Sequence, residues 1–218
     1  MKLEVSVDRF TGQTRLRDKE SRRFFSRVVA GLCWPQATKP GAVLALAEDA
    51  VADPVDGYRV LRLAGFEQHA DVEQLLELAA GLAPLGGEWA GRSAISVWLG
   101  NPFHPFAKRI RIFNERLTSQ GQRRIHLRAA PGVNAGGQLH ADLMPYLSAR
   151  WVGRSALVLE RRELLAMVED AGRDIRRPIE DFPAVAALMW CVAYCDDRRA
   201  SVGTVQHQPG TADDVAGY

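Results

Sequence analysis

The run "AVLALAEDAVADPVDGYRVLRLAGFE", residues 42–67, divides into two apolar segments around a turn-rich middle. Asp53, Pro54, Asp56 and Gly57 in that middle are residue types that favour turns. On either side "AVLALAE" and "YRVLRLAGFE" suit extended chain, with Tyr58, Val60, Leu61 and Leu63 in a strand-like pattern. Two antiparallel strands follow, and the first closes on Glu48 and Asp49. Beyond them "ADVEQLLELAAGLAP" sets Val72, Leu75, Leu76 and Ala79 on one helical face, with Gly81 and Pro84 as stop signals. Strand, strand, helix is the beginning of an α/β domain.

Towards the N-terminus, "KLEVSV" alternates as a strand does and "TRLR" supplies a partner across a turn. Asp18 is placed to cap a helix through "KESRRFFSRVVAGL", in which Phe24, Phe25, Val28 and Leu32 share a face. Residues 1–40 therefore read as an added hairpin and helix, ahead of a core domain over 41–200 and a loose polar tail over 201–218.

Towards the C-terminus, "GGEWAGRSAISVWLG" reads as a short strand to Ala90 or as a longer one through Leu99, the short form being preferred. The helix "FAKRIRIFNERL" carries Phe106, Ile110, Phe113 and Leu117 in one apolar stripe. "RRIHLRAAPG" and "SALVLE" read as strands, while "HADLMPYLSARW" and "RRELLAMVEDAG" read as helices. "FPAVAALMWCVAYCDDRR" is nearly all apolar from Phe182 to Cys195, the profile of a helix buried on most sides. The expected fold is α/β, a mixed sheet flanked by helices.

Bulk properties narrow the class. A hydrophobic content of 47% with 25% charged residues is that of a globular chain, not of a disordered one. No apolar run reaches the ~18 residues of a membrane span, and "MKLEVSVDRF" lacks a secretory signal, so a cytoplasmic protein without a membrane partner is expected. Cys33, Cys191 and Cys195 are too few for a disulfide framework. GxSxG, GxxxxGK[ST], HExxH and GxGxxG are all absent, which removes only the easily recognised forms of those chemistries.

The net charge of +2 conceals separated blocks. Seven basic residues and one acidic residue lie between Lys108 and Arg128, whereas eight acidic and two basic residues lie between Glu48 and Glu77. Lys108, Arg109, Arg111 and Arg124 are thus candidates for gripping nucleic-acid phosphates with little sequence preference. The alternative is an assembly or interaction module, in which acidic and basic patches pair between subunits or with a partner protein. Carboxylates at the ends of elements offer a second chemistry, because magnesium or manganese needs hard oxygen ligands that converge. Asp49 and Asp197 are the candidate metal ligands and catalytic residues, with Glu48 and Asp196 beside them. His140 and Asp142 form a further pair without a third ligand at metal spacing.

From residue 42 to 197 this layout resembles the RNase H-like superfamily, and within it the nuclease domains of phage terminases. The resemblance implies a first-strand acid at Glu48 or Asp49, a helix acid at Asp196 or Asp197, and two divalent ions between them. After "EWAG", where that family often has aspartate, this chain has Arg92, which cannot ligate magnesium. The resemblance therefore implies an incomplete or displaced catalytic set. "WAGRSA" at residues 89–94 also returns as "WVGRSA" at 151–156, without matching flanks. The shared pattern is a local turn device, with Arg92 and Arg154 placed to meet phosphate or carboxylate.

Overall fold

The computed structural model describes residues 3–7, 14–55, 57–82, 96–121, 124–130, 157–159, 161–174 and 176–205. Its strands are β1 (Leu3–Val7), β2 (Thr14–Asp18), β3 (Phe24–Cys33), β4 (Gly41–Asp49), β5 (Leu61–His69), β6 (Ser96–Gly100), β7 (Leu127–Ala129) and β8 (Leu157–Val158). The helices are α1 (Val72–Leu82), α2 (Ala107–Ser119), α3 (Arg162–Gly172) and α4 (Pro183–Val205), with a 3-10 turn at Ile179–Asp181 before α4. The chain is α/β with a mixed sheet, as the sequence indicates.

Strand β3 organises that sheet. It pairs antiparallel with β4 along one edge, and β4 pairs antiparallel with β5. On its other edge β3 pairs antiparallel with β2 at Phe24 and Phe25, then parallel with β6 from Val28 to Leu32. Outward from β3, β6 pairs parallel with β7, and at the far side β5 pairs parallel with β8. The hairpin β1–β2 has the expected antiparallel register, Leu3 opposite Asp18 and Val7 opposite Thr14.

The helix expected over residues 19–32 is instead the turn after β2 followed by most of β3. Its apparent N-cap is real but local: the Asp18 carboxylate accepts the Ser21 amide at 3.0 Å and the Ser21 hydroxyl at 2.6 Å. Arg22 then turns into the left-handed region at φ 63°, and the chain reverses into a strand. Such a cap contributes about 1 kcal/mol. Burying Phe25, Val28, Val29 and Leu32 on the two faces of a central strand contributes about 1.5–3 kcal/mol each, so the strand wins.

Alternation sends one set of side chains to each layer. Val28, Ala30 and Leu32 of β3 join Val43, Ala45 and Ala47 of β4 beneath α1 and α2. Val29 and Cys33 join Ala42, Leu44 and Leu46 beneath α3 and α4. Helices α1 and α2 bury the residues read from their stripes: Val72, Leu75, Leu76 and Ala79 in α1, and Ile110, Phe113 and Leu117 in α2. Helix α4 is buried from Ala184 to Ala193 and runs on to Val205, into the segment read as tail. Strand β6, Ser96–Gly100, overlaps the longer alternative through Leu99, while the short strand ending at Ala90 lies outside the described residues. Residues 83–95 and 131–156, with Arg92, His140, Asp142 and Arg154, lie outside the described residues. No helix of the described residues is long and apolar enough to cross a membrane.

Candidate nucleic-acid interface

Helix α2 and strand β7 form the outer margin of the sheet, where β7 pairs with β6 alone among the described residues. Asn114 fastens the two together. Its Nδ2 donates to the Ile125 carbonyl oxygen at 2.9 Å, and its Oδ1 accepts the Ile125 amide at 2.8 Å, as a neighbouring strand would. Ile125 is buried, so both bonds satisfy backbone groups that water cannot reach.

Above that joint lies a groove of about 510 Å³ with an apolar floor that includes Ile110 and Ile125. Arg111 from α2, with Arg124 and His126 from the approach to β7, supply its cationic side, and Glu115 is the one carboxylate among the described residues of its lining. Arg124 is steadied by its Nε donating to the Thr118 hydroxyl at 2.9 Å. Lys108 and Arg111 are exposed on α2, and Arg128 is exposed on β7. Of the four cations expected to meet phosphate from the described segments, Arg111 and Arg124 share the groove. Arg109 is committed elsewhere: it pairs with Glu73 of α1 at 3.0 Å, while Arg116 pairs with Glu77. The acidic and basic blocks of the sequence thus meet in part within one chain.

The carboxylates sit at another place. Glu48 and Asp49 end β4, and each faces an arginine on the neighbouring strand. Arg27 Nε of β3 donates to Glu48 Oε2 at 2.6 Å, and the Ser26 hydroxyl donates to the same oxygen at 3.2 Å. Arg62 of β5 grips Asp49 through Nε at 3.1 Å and through Nη2 at 3.3 Å. Arg27 also lies over the Tyr194 ring of α4, its guanidinium carbon 5.8 Å from the centroid. Burial opposes the charge of Arg27, but Cys195, Glu48 and Tyr194 outweigh it and raise its pKa. The end of β4 and the later part of α4 therefore do approach, with Arg27 between them. Asp196 is half-buried in α4 and engaged in a contact of its own, and Asp197 follows it in the helix backbone. No cluster of three His, Cys, Asp or Glu side chains suited to a metal ion occurs among the described residues.

The carboxyl ends of the parallel strands β3 and β6, where open α/β sheets commonly place ligands, hold aromatic packing instead. Trp34 stacks on His104 with centroids 5.9 Å apart, and His104 lies 5.0 Å from Phe106. Trp34 Nε1 donates to the Asn101 carbonyl oxygen at 3.0 Å, and the Phe106 amide donates to His104 Nδ1 at 3.3 Å. Burial lowers the pKa of His104, which keeps that nitrogen an acceptor.

Sequence reasoning missed Asn114, and within the basic block it did not single out His126 or Arg128 as parts of this margin. Asn114 carried a usable signal: a polar residue of poor helix propensity beside the apolar stripe of an otherwise good helix. Comparison of the chain with family models, with curated proteins and with solved structures gives no match.

Proposed function

We propose that this chain is an RNase H-like α/β domain that holds a nucleic-acid phosphate backbone in the groove between α2 and β7, without a competent nuclease centre. The observation that carries the reading is the pair Arg111 and Arg124, brought with His126 to one groove from segments that are separate in sequence. Guanidinium groups there contribute salt-dependent, sequence-tolerant affinity for phosphates.

Sheet order supports the fold-family part of the reading. Three antiparallel strands, β3–β4–β5, are followed by α1, by β6 added parallel to β3, by α2 and by β7. In that arrangement the first-strand position belongs to β3, and "FFSRVVAGLC" contains no carboxylate. Glu48 and Asp49 fall on the second strand, each held by an arginine. A magnesium or manganese ion at Asp49 would have to displace Arg62, so the described residues do not fit a metal centre there. Titration with manganese is expected to give no saturable heat that Asp49→Asn removes. Binding lost in both Asp49→Asn and Asp197→Asn would restore the metal-dependent nuclease.

The interaction-module reading stands second, because Glu73 and Glu77 already pair with Arg109 and Arg116 inside the chain. Fluorescence anisotropy with labelled DNA and RNA oligonucleotides separates the two. Arg111→Glu with Arg124→Glu should weaken binding by about tenfold or more, while Arg173→Glu, an exposed cation beyond α3, should leave it nearly unchanged. Equal loss in both variants would mean diffuse charge and not this groove.

A further inference from the structure

A second cavity, of about 200 Å³ and open to solvent on one side, lies between α3 and the start of α4 and is bounded also by the turn before β4 and the end of β5. Met167, Phe182 and Val185 give it apolar walls. Three polar side chains complete the lining: Lys39, Gln68 and Asp170. Lys39 holds its ammonium 4.5 Å from the Phe182 ring centroid. Arg177 covers the same ring at 5.2 Å, but its charge is committed to Asp181 at 2.9 Å and to Asp174. Neither Lys39 nor Asp170 has an ion-pair partner among the described residues.

We infer that this cavity binds a free apolar α-amino acid of about the size of leucine or phenylalanine. The chemistry is threefold. Apolar walls select an apolar side chain, and Lys39 supplies the cation for a carboxylate. Asp170 supplies the anion for an ammonium group, and the Gln68 amide can donate to one or accept from the other. Asp170 is exposed and Lys39 half-buried, so water answers either charge in the empty site; a zwitterion is preferred because it gains both pairings where a ligand with one charge gains only one. Its volume, below the ~300 Å³ at which drug-sized pockets begin, limits the ligand to a few heavy atoms beyond the two charged groups. The site is remote in sequence from the α2–β7 groove and does not depend on the nucleic-acid reading.

Isothermal titration of the full chain with L-leucine and L-phenylalanine tests the inference, with 4-methylpentanoate and 3-methylbutylamine as the leucine skeleton lacking one charge each. At least one amino acid should bind saturably in the millimolar range, and both single-charge analogues should bind about tenfold more weakly or less. Lys39→Met, which keeps an apolar stem over Phe182, and Asp170→Asn should each reduce affinity by a similar factor with an unchanged melting temperature. The absence of saturable heat from both amino acids would overturn the inference. So would a monocharged analogue that binds as well as leucine, or binding indifferent to both substitutions.

Discussion

Gly31 sits where α4 crosses β3, and a Cβ there would overlap the backbone carbonyl oxygen of Ala187. Contact with rigid backbone cannot be relieved by a rotamer change, so Gly31→Ala should destabilise the fold by about 1–3 kcal/mol, the range of core overpacking. Urea unfolding would show it as a lower midpoint at unchanged slope. His104 makes a pH-dependent contribution of known sign. Burial lowers its pKa from the ordinary 6.5, so its contribution is complete above that value and is lost as pH falls through the lower folded value. Protonation of Nδ1 also removes the acceptor for the Phe106 amide. Thermal melts across that window should show wild type losing more stability on acidification than His104→Phe does; parallel curves would contradict the assignment. Glu180 has the opposite sign. Its carboxyl is half-buried with Oε1 unpartnered, and burial raises its pKa from 4.5. Its penalty therefore appears as pH rises through the folded value, and Glu180→Gln should melt higher than wild type at neutral pH but not near pH 4.

Among the elements, the approach to β7 is tied to α2 by one helix side chain, Asn114. Asn114→Leu removes both hydrogen bonds to Ile125 and leaves a buried amide and carbonyl unpaired, a cost of about 1–3 kcal/mol for each unsatisfied group. Amide exchange at Ile125 should then accelerate more than at Val43 in β4. Helices α1 and α2 are joined by exposed ion pairs, for which a Glu73–Arg109 double-mutant cycle should return only about 0.2–1 kcal/mol. The clearest elements in sequence were those with an unambiguous period or turn: the β4–β5 hairpin, α1, α2 and the apolar α4. The sequence of β3 reads as a helix because the Asp18–Ser21 contact has the same spacing as a helix cap, and only the burial of both strand faces overrides it. The same ambiguity conceals the carboxylate chemistry. With Arg27 placed on a helix, nothing indicated that it would lie opposite Glu48, as β-pairing puts it. Sequence alone leaves the extent of β6 open between two forms, because its register is set by β3, a partner distant in sequence.

For the molecule as a whole, the sheet divides two cores, and α2 covers one face of its β6–β7 margin. A small net charge is then no guide to binding, since four of the charged side chains neutralise each other between α1 and α2 while Arg111, Arg124 and His126 collect at the groove. The sequence showed the basic block but not which of its members would be spent internally, because that depends on the packing of α1 against α2. The central claim is that Arg111 and Arg124 each meet a phosphate. The measurement that tests it most directly is the salt dependence of duplex DNA binding, as the logarithm of the association constant against the logarithm of salt concentration. Each lost phosphate contact lowers the slope by about 0.9, so the Arg111→Glu, Arg124→Glu variant should give a slope shallower by roughly 2. An unchanged slope, or wild-type binding that does not respond to salt, would contradict the account.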